Sequence, residues 1–238
     1  MRLSSFVVGL AGLVLAANAA NAAPINFFNA TSFASADTMR TSWLTSLGIA
    51  APQYRIDFEA GYANNQNVHN VGLAGGLVMR DTTGLGTLRI TNVTGSIGGS
   101  NPVGAFAVLI QDDDPLFEFE LDFTASPVDY FGARDIDQFG STIQVWLEGG
   151  TMQTFSIAST AFSGDSAQFF GFGVAAGPRI QRIRFDAASA GDGPWGLDNL
   201  EYGRVPEPGT LVLASLALAA LGAARPRARQ RDTGRPRA

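Results

Sequence analysis

The sequence contains no cysteine and no lysine, and it has one histidine, His69. The absence of cysteine excludes disulfide bonds, thiolate metal sites and cysteine nucleophiles. One histidine excludes a zinc site built from several histidines, and no Gly-x-Ser-x-Gly segment is present to hold a serine nucleophile. The fold must therefore be stabilised by its core or by a bound ion, and the residues favour no catalytic mechanism.

Basic residues are also scarce in the central part of the chain. Residues 24–204 hold nine arginines and nineteen carboxylates, so nine minus nineteen leaves a formal charge of −10, whereas the whole chain carries −5. An acidic body argues against nucleic acid and anionic membrane surfaces as partners. It suits calcium or a neutral polysaccharide better, although acidity also serves solubility.

Residues 1–23 have the pattern of a secretory signal peptide. Arg2 forms a minimal basic region, residues 6–17 form an apolar run, and Ala20-Asn-Ala22 is a small-residue cleavage site, with Ala17-Asn-Ala19 as an alternative. The sequence therefore predicts export. The body that follows, residues 24–203, has the length of one domain.

The C-terminal segment, residues 204–238, has three successive parts. Pro206-Glu-Pro208 precedes an apolar run at 210–224, and six arginines follow within 225–238. The run is slightly shorter than the ~20 residues that span a bilayer, but flanking arginines can compensate. Positive charge stays on the cytoplasmic side. The pattern predicts a single transmembrane helix with the body outside.

Together, Val205, Pro206, Glu207 and Pro208, the apolar run and the basic end resemble the PEP-CTERM sorting signal of exported Gram-negative proteins. The resemblance implies that exosortase, a membrane protease-transpeptidase, processes the chain near this motif. Anchoring in the inner membrane would then be transient, and the product would reach the cell surface or the extracellular matrix.

The body is predicted to be an all-β, antiparallel, jelly-roll-like sandwich with one short N-terminal helix. Helical spacing of Ala36, Trp43, Leu44 and Leu47, followed by Gly48, indicates a helix at about 32–47. From residue 54 the period changes to two. The predicted strands are 54–59, 76–80, 87–93, 105–110, 116–123, 128–133, 142–148, 154–158, 169–174, 180–186 and 197–202.

Two segments, Arg55-Ile-Asp-Phe-Glu-Ala-Gly61 and 191–203, resemble the first and last strands of calcium-containing jelly-roll modules, many of which bind carbohydrate. The resemblance implies Glu59 and Asp198 as calcium ligands, with Asn199 standing where a second Asp is commoner. Calcium takes six to eight oxygen ligands, which carboxylates can supply. The alternative is that Glu59 lies on a solvent face and Asp198 in an ordinary turn. Weaker acidic candidates are Asp112–Asp114, Asp135 and Asp137.

Exposed aromatic rings would offer a surface for sugar binding. Trp195, in a Gly-Pro-Trp-Gly turn, is the first candidate, whereas the pattern around Trp146 does not decide which side it faces. The alternative for both tryptophans is a place in the core, where such residues are more often found. Arg182 and Arg184 alternate with apolar residues and should face solvent, where they would be available to an acidic glycan.

These features lead to three functional hypotheses. The first is a non-enzymatic surface or matrix protein with a structural or adhesive role, delivered by exosortase. The second is a calcium-dependent carbohydrate-binding module acting on exopolysaccharide, with Glu59, Asp198 and Trp195 as its residues. The third is a glycan-active hydrolase, which needs only two carboxylates at a set separation.

Overall fold

The structure is a computed structural model that describes residues 24–30, 33–84, 87–92, 106–111, 118–136, 141–157, 167–174, 177–187 and 195–206. The chain divides into two units, of which the first ends at Arg204, and of the second, Val205–Ala238, only Val205 and Pro206 are described. The predicted signal peptide, the apolar run and the acidic turn Asp112–Asp114 lie outside the described residues. Within those residues no helix is long and apolar enough to cross a membrane.

The described elements are one α-helix and twelve strands. They are β1 Ile25–Asn29, α1 Phe33–Ser46, β2 Tyr54–Ile56, β3 Val78–Asp81, β4 Thr87–Asn92, β5 Phe106–Gln111, β6 Glu118–Asp122, β7 Tyr130–Ile136, β8 Ser141–Leu147, β9 Met152–Ile157, β10 Ala167–Val174, β11 Ile180–Ala187 and β12 Trp195–Gly203, with a short 3-10 turn at Ala74–Gly76.

The strands form two antiparallel sheets. The seven-stranded sheet runs β1-β10-β7-β12-β5-β4, and β2 also pairs with β12. The five-stranded sheet runs β3-β6-β11-β8-β9. Strand β12 pairs with β7 along one side, while its first residues pair with β5 and its last with β2 on the other. The prediction of an antiparallel β-sandwich with one N-terminal helix is confirmed.

Aromatic side chains from both sheets fill the space between them. Phe123, directly after β6, lies 5.3 Å from Tyr202 of the seven-stranded sheet, and Phe170 of β10 lies 5.8 Å from Phe185 of β11, measured between ring centroids. All four side chains are almost fully buried. Because such rings bury large apolar areas and pack edge to face, they explain how the domain is stabilised without disulfides.

Helix α1 covers the outer face of the seven-stranded sheet, and glycines make this close packing possible. Strand β10 alternates Phe170 and Phe172, which face the core, with Gly171 and Gly173, which face the helix. Trp43 of α1 packs over Gly171, and its Nε1 donates a hydrogen bond to the carbonyl oxygen of Phe172 at 3.1 Å. The alternation of large and absent side chains therefore positions α1.

The helix ends where the sequence predicted. Gly48 has a left-handed φ of 67°. Its N–H donates to the carbonyl oxygen of Thr45 at 3.0 Å, and the N–H of Ile49 donates to that of Leu44 at 3.1 Å. This pair of bonds is the Schellman arrangement, in which glycine avoids the steric cost of a positive φ.

Every predicted strand has a counterpart among the described elements, with bounds that differ by a few residues. Strand β1 was not predicted. It lies directly after the predicted cleavage site, and Ile25-Asn-Phe-Phe-Asn29 lacks a clear alternation of polar and apolar residues. Among the described strands it pairs with β10 alone, at the edge of the seven-stranded sheet.

Candidate functional site

The outer face of the five-stranded sheet carries a partly exposed tryptophan among polar side chains. Strand register places two rows of residues across it: Val78, Asp122, Arg182, Trp146 and Met152 in one row, and Arg80, Glu120, Arg184, Gln144 and Thr154 in the other. We call these ten residues the Trp146 face. Strands lie about 4.8 Å apart, so each row extends over about 19 Å.

Trp146 is held on this face by two arginines. The guanidinium carbon of Arg182 lies 5.2 Å from the indole centroid, and that of Arg184 lies 5.1 Å from it. Such distances are typical of cation–π contacts. On the other side, Trp146 pairs across the strands with Met152, which is 44% exposed. The face therefore presents a fixed aromatic ring beside an exposed apolar side chain.

The charges of the Trp146 face are paired across the strands. Glu120 accepts a hydrogen bond from Arg184 at 3.3 Å and lies 3.8 Å from Arg182. Arg80 pairs with Asp122 at 2.7 Å. The prediction that Arg182 and Arg184 lie on the solvent side of their strand is confirmed, with 39% and 24% of their side chains exposed. They cover Glu120, which is only 5% exposed.

A second feature is a cleft of about 150 Å³ on the outer face of the seven-stranded sheet, beside α1. We call it the α1 cleft. It is lined by Asp37 and Arg40 from α1, Arg55 from β2, Arg134 from β7, Phe169 from β10, and Asn199 and Glu201 from β12.

Ion pairs join four of the residues that line the α1 cleft. Arg40 donates from Nε to both carboxylate oxygens of Glu201, at 2.9 and 2.8 Å, and from Nη2 at 2.6 Å. The Glu201 side chain is 1% exposed. Arg134 pairs with the exposed Asp37. Burial lowers the pKa of the Arg134 guanidinium, and the neighbouring Asp37 carboxylate opposes that shift.

Asn199 enters the α1 cleft through an irregularity in β12. The pairing with β7 shifts register between Asp198 and Glu201, and Asn199 has a left-handed φ of 48°. Asparagine tolerates this conformation better than most residues. Arg55 donates from Nε and Nη2 to Asn199 Oδ1, at 3.2 and 2.6 Å. The irregularity in β12 thus directs the Asn199 side-chain amide toward the cleft, where regular strand pairing would place a different residue.

The structure corrects the prediction for Trp195. This residue begins strand β12 and is 8% exposed, because its ring packs against Phe119 at 6.0 Å and Phe185 at 5.5 Å between centroids. Packing this large ring against two phenylalanines removes its apolar surface from water, which lowers the free energy of the folded state. Trp195 therefore offers no open surface for a ligand, whereas Trp146, which the sequence left undecided, lies on the outer face.

The two predicted calcium ligands occupy different environments. Glu59 is exposed and its Oε1 accepts a hydrogen bond from the N–H of Phe106 at 3.0 Å. Asp198 is 1% exposed and its Oδ1 accepts from the N–H of Asn199 at 2.6 Å. In the described part of the chain, no three Asp, Glu, His or Cys side chains converge on one point. These residues do not by themselves complete the oxygen shell that calcium takes, and calcium binding stays a prediction.

Of the weaker acidic candidates, only Asp135 is described. It is fully buried and its Oδ2 accepts a hydrogen bond from Gln168 Nε2 at 3.1 Å. Asp137 and Asp112–Asp114 lie outside the described residues. His69 Nδ1 accepts a hydrogen bond from the N–H of Asp81 at 3.1 Å, so the histidine helps to attach its loop to β3.

Comparison with known proteins finds weak structural matches at low sequence identity. The enzymatically active domain of bacteriophage CBA120 tailspike protein 4 matches 58% of this chain at 16% identity and a TM-score of 0.34, and the chain spans only 21% of its length. A family 29 carbohydrate-binding module from Piromyces equi matches 62% at 12% identity, with 94% of the module covered and a TM-score of 0.36.

The CsCBM6-3 module of Clostridium stercorarium, solved in complex with cellobiose, matches 63% of this chain at 19% identity. The match covers 93% of that module with a TM-score of 0.31. No family model and no curated protein matches the sequence. At these identities and TM-scores the similarities identify no family for this chain.

Proposed function

We propose that this protein is an exported, non-enzymatic polysaccharide-binding protein of the cell surface or extracellular matrix. The observation that carries the proposal is the position of Trp146, fixed and partly exposed on the outer face of the five-stranded sheet. Sugar rings present C–H faces that pack on aromatic rings, so an indole of this kind suits a glycan chain.

The surroundings of Trp146 supply the polar groups that hydroxyls need. Arg182 contributes guanidinium donors, while Gln144 and Thr154 in the neighbouring row contribute an amide and a hydroxyl. The two rows cross all five strands of the sheet, so the face is long enough to contact several sugar units of one polysaccharide. An extended face of this kind suits the interior of a polysaccharide better than its end.

The carboxylates of the same face favour binding over hydrolysis. Glycoside hydrolysis requires one carboxyl group as acid and a second as base or nucleophile, both open to the substrate. Glu120 is covered by Arg182 and Arg184, and Asp122 is paired with Arg80. Because both carboxylates are held in ion pairs, they stabilise the packing of neighbouring strands and are not free to transfer protons to a substrate. The hydrolase hypothesis is the second candidate.

Delivery to the outside rests on the ends of the sequence. The secretory pattern of residues 1–23 and the resemblance of Val205, Pro206, Glu207 and Pro208 to a PEP-CTERM signal support export and processing by exosortase. An acidic, lysine-free body is compatible with neutral exopolysaccharide as partner.

Affinity electrophoresis of the purified body in gels containing neutral and acidic polysaccharides tests this proposal. We expect retardation by at least one neutral polysaccharide, and its loss in Trp146→Ala. Val71→Ser, which changes a 37% exposed apolar residue away from the Trp146 face, is the matched control and should bind normally. Equal binding by Trp146→Ala, with unchanged melting temperature, would refute the proposed surface.

Two further arms separate the alternatives. Chelation of calcium during the same assay tests the calcium-dependent form of the hypothesis, since a calcium-linked site would lose affinity and the protein would lose stability. Release of new reducing ends from the bound polysaccharide, abolished by Glu120→Gln, would replace the binding proposal with the hydrolase one.

A further inference from the structure

The α1 cleft contains a buried donor for which no described residue supplies an acceptor. Asn199 is 7% exposed, and among the described residues its Nδ2 has no hydrogen-bond partner. A buried N–H group left unpaired costs free energy, so native proteins rarely keep one without a reason. Asn199 is also held at a positive φ, which adds a second local cost at the same residue.

The orientation of this amide is determined by Arg55. Both the Nε and the Nη2 of Arg55 donate to Oδ1 of Asn199. A flipped amide would place NH₂ against a guanidinium, so that donors would face donors. Oδ1 must therefore face Arg55, which leaves Nδ2 directed away from it, within a residue that lines the cleft.

The charges around the cleft are held in ion pairs. Three arginines and two carboxylates line it, with Arg40 paired with Glu201 and Arg134 with Asp37. Arg55 lies 3.9 Å from Glu201, and Asp198, outside the lining, lies opposite Arg134 in the strand register. A charged ligand would compete with these pairs, whereas a hydroxyl can accept from Nδ2 and donate to a carboxylate at the same time.

The dimensions favour a small ring. A cavity of about 150 Å³ holds one six-membered ring. Phe169 also lines the cleft but is only 1% exposed, so the surface open to a ligand is mainly polar. The exposed Asp37 and the half-exposed Arg55 give access to it from solvent. A space of this size surrounded by polar groups matches a polyhydroxylated ring.

We propose that the α1 cleft binds one neutral sugar residue, whose hydroxyl accepts a hydrogen bond from Asn199 Nδ2. The site lies on the opposite sheet from the Trp146 face and uses none of its residues. It would add recognition of a single sugar unit, free or at the end of a chain, to the proposed binding along a polysaccharide.

Titration of the protein with glucose, galactose and mannose, followed by NMR of the side-chain amide of Asn199, tests this site. We expect at least one sugar to shift that amide signal, and Asn199→Gly to weaken binding by roughly tenfold, the loss expected for one hydrogen bond. Glycine accepts the positive φ, so the backbone is kept. Asn65→Gly, an exposed position with φ 64°, is the matched control and should bind as the wild type does.

Disaccharides of the same sugars distinguish a free sugar from a sugar at the end of a polysaccharide as the ligand. A shift of the Asn199 amide by both forms indicates a chain-end residue, and a shift by the monosaccharide alone indicates a free sugar; either supports the site. No shift with any sugar, unchanged affinity in Asn199→Gly, or tighter binding of glucuronate than of glucose would overturn it. Trp146→Ala should leave this titration unchanged, so failure here and failure of polysaccharide binding can be told apart.

Discussion

Gly171 lies directly beneath the indole of Trp43. A Cβ built on Gly171 would be 2.9 Å from Trp43 Nε1, closer than Cβ atoms normally approach, and the same Nε1 donates to the carbonyl oxygen of the next residue, Phe172. Gly132 on β7 also lies against this indole: a Cβ built on Gly132 would be 2.8 Å from Trp43 Cη2. Because these two glycines have no side chain, the fully buried Trp43 can pack directly on the sheet, and this contact holds α1 in place.

Replacement of Gly171 by alanine should destabilise the domain by about 1–3 kcal/mol, because the added methyl group displaces Trp43 and strains its hydrogen bond. Urea unfolding of the purified body measures the change. Gly72→Ala is the matched control, since a Cβ at Gly72 meets nothing within 4 Å and its φ is not positive. Equal stability of the two variants would show that Trp43 moves aside without cost.

The pair of Arg40 and Glu201 leads to a second prediction. Glu201→Ala removes the carboxylate that accepts three hydrogen bonds from Arg40, and leaves a guanidinium that is 29% exposed without its partner. We expect a loss of about 3 kcal/mol in the free energy of unfolding. Asp129→Ala, which breaks the more exposed pair with Arg179, should cost about 1 kcal/mol or less.

The same variant has a structural readout. Because Glu201 joins β12 to α1, its loss should increase hydrogen exchange of α1 amides more than that of the core strands. Two results would contradict the importance assigned to this buried pair. One is an equal increase of hydrogen exchange in α1 and the core strands, and the other is a loss of unfolding free energy no larger than that of Asp129→Ala.

Much of the sandwich could be predicted from the sequence, because strand periodicity is a local property. Phe119, Leu121 and Phe123 alternate with Glu120 and Asp122, and the structure buries the first three between the sheets. Glu120 is also buried, which alternation alone could not show. Its burial depends on Arg182 and Arg184, which come from a strand more than sixty residues away.

The α1 cleft was not predicted, since its pairs are remote in sequence. Arg40 and Glu201 are 161 residues apart, and no local pattern around either residue indicates the other as its partner. One local signal was present: Leu197, Leu200 and Tyr202 break the period of two, which indicates a bulge at Asp198 and Asn199. Trp195 was the first candidate for an exposed ring because a Gly-Pro-Trp-Gly segment is typical of a turn, but this tryptophan begins strand β12 and takes the alternative, a place in the core.

Two buried phenols predict sensitivity to alkali. Burial raises the pKa of Tyr202, whose hydroxyl donates to the carbonyl oxygen of Ala74, above its ordinary value of 10.0, and burial does the same for Tyr130. Folded tyrosine thus holds its proton more tightly than unfolded tyrosine. The stabilisation is complete below pH 10 and is lost as the pH rises further, since unfolding then releases protons.

Urea unfolding between about pH 8 and pH 11 measures this slope. Tyr202→Phe removes one ionisable group, so its free energy of unfolding should fall less steeply above pH 10. At neutral pH it should be lower by about 1 kcal/mol for the lost hydrogen bond. An unchanged alkaline slope in Tyr202→Phe would show that this phenol does not contribute.

The sorting motif leads to the last prediction. If exosortase recognises Pro206, Glu207 and Pro208, replacing these three residues with alanine should leave the apolar run at 210–224 attached and the protein in the membrane fraction. The wild-type protein, expressed in its own host, should instead be recovered outside the cell with an intact mass that lacks most of residues 205–238. Pro178→Ala, within the β-sandwich, should be processed normally. Extracellular protein that retains the arginines of 225–238, or equal release of the triple-alanine variant, would contradict exosortase processing.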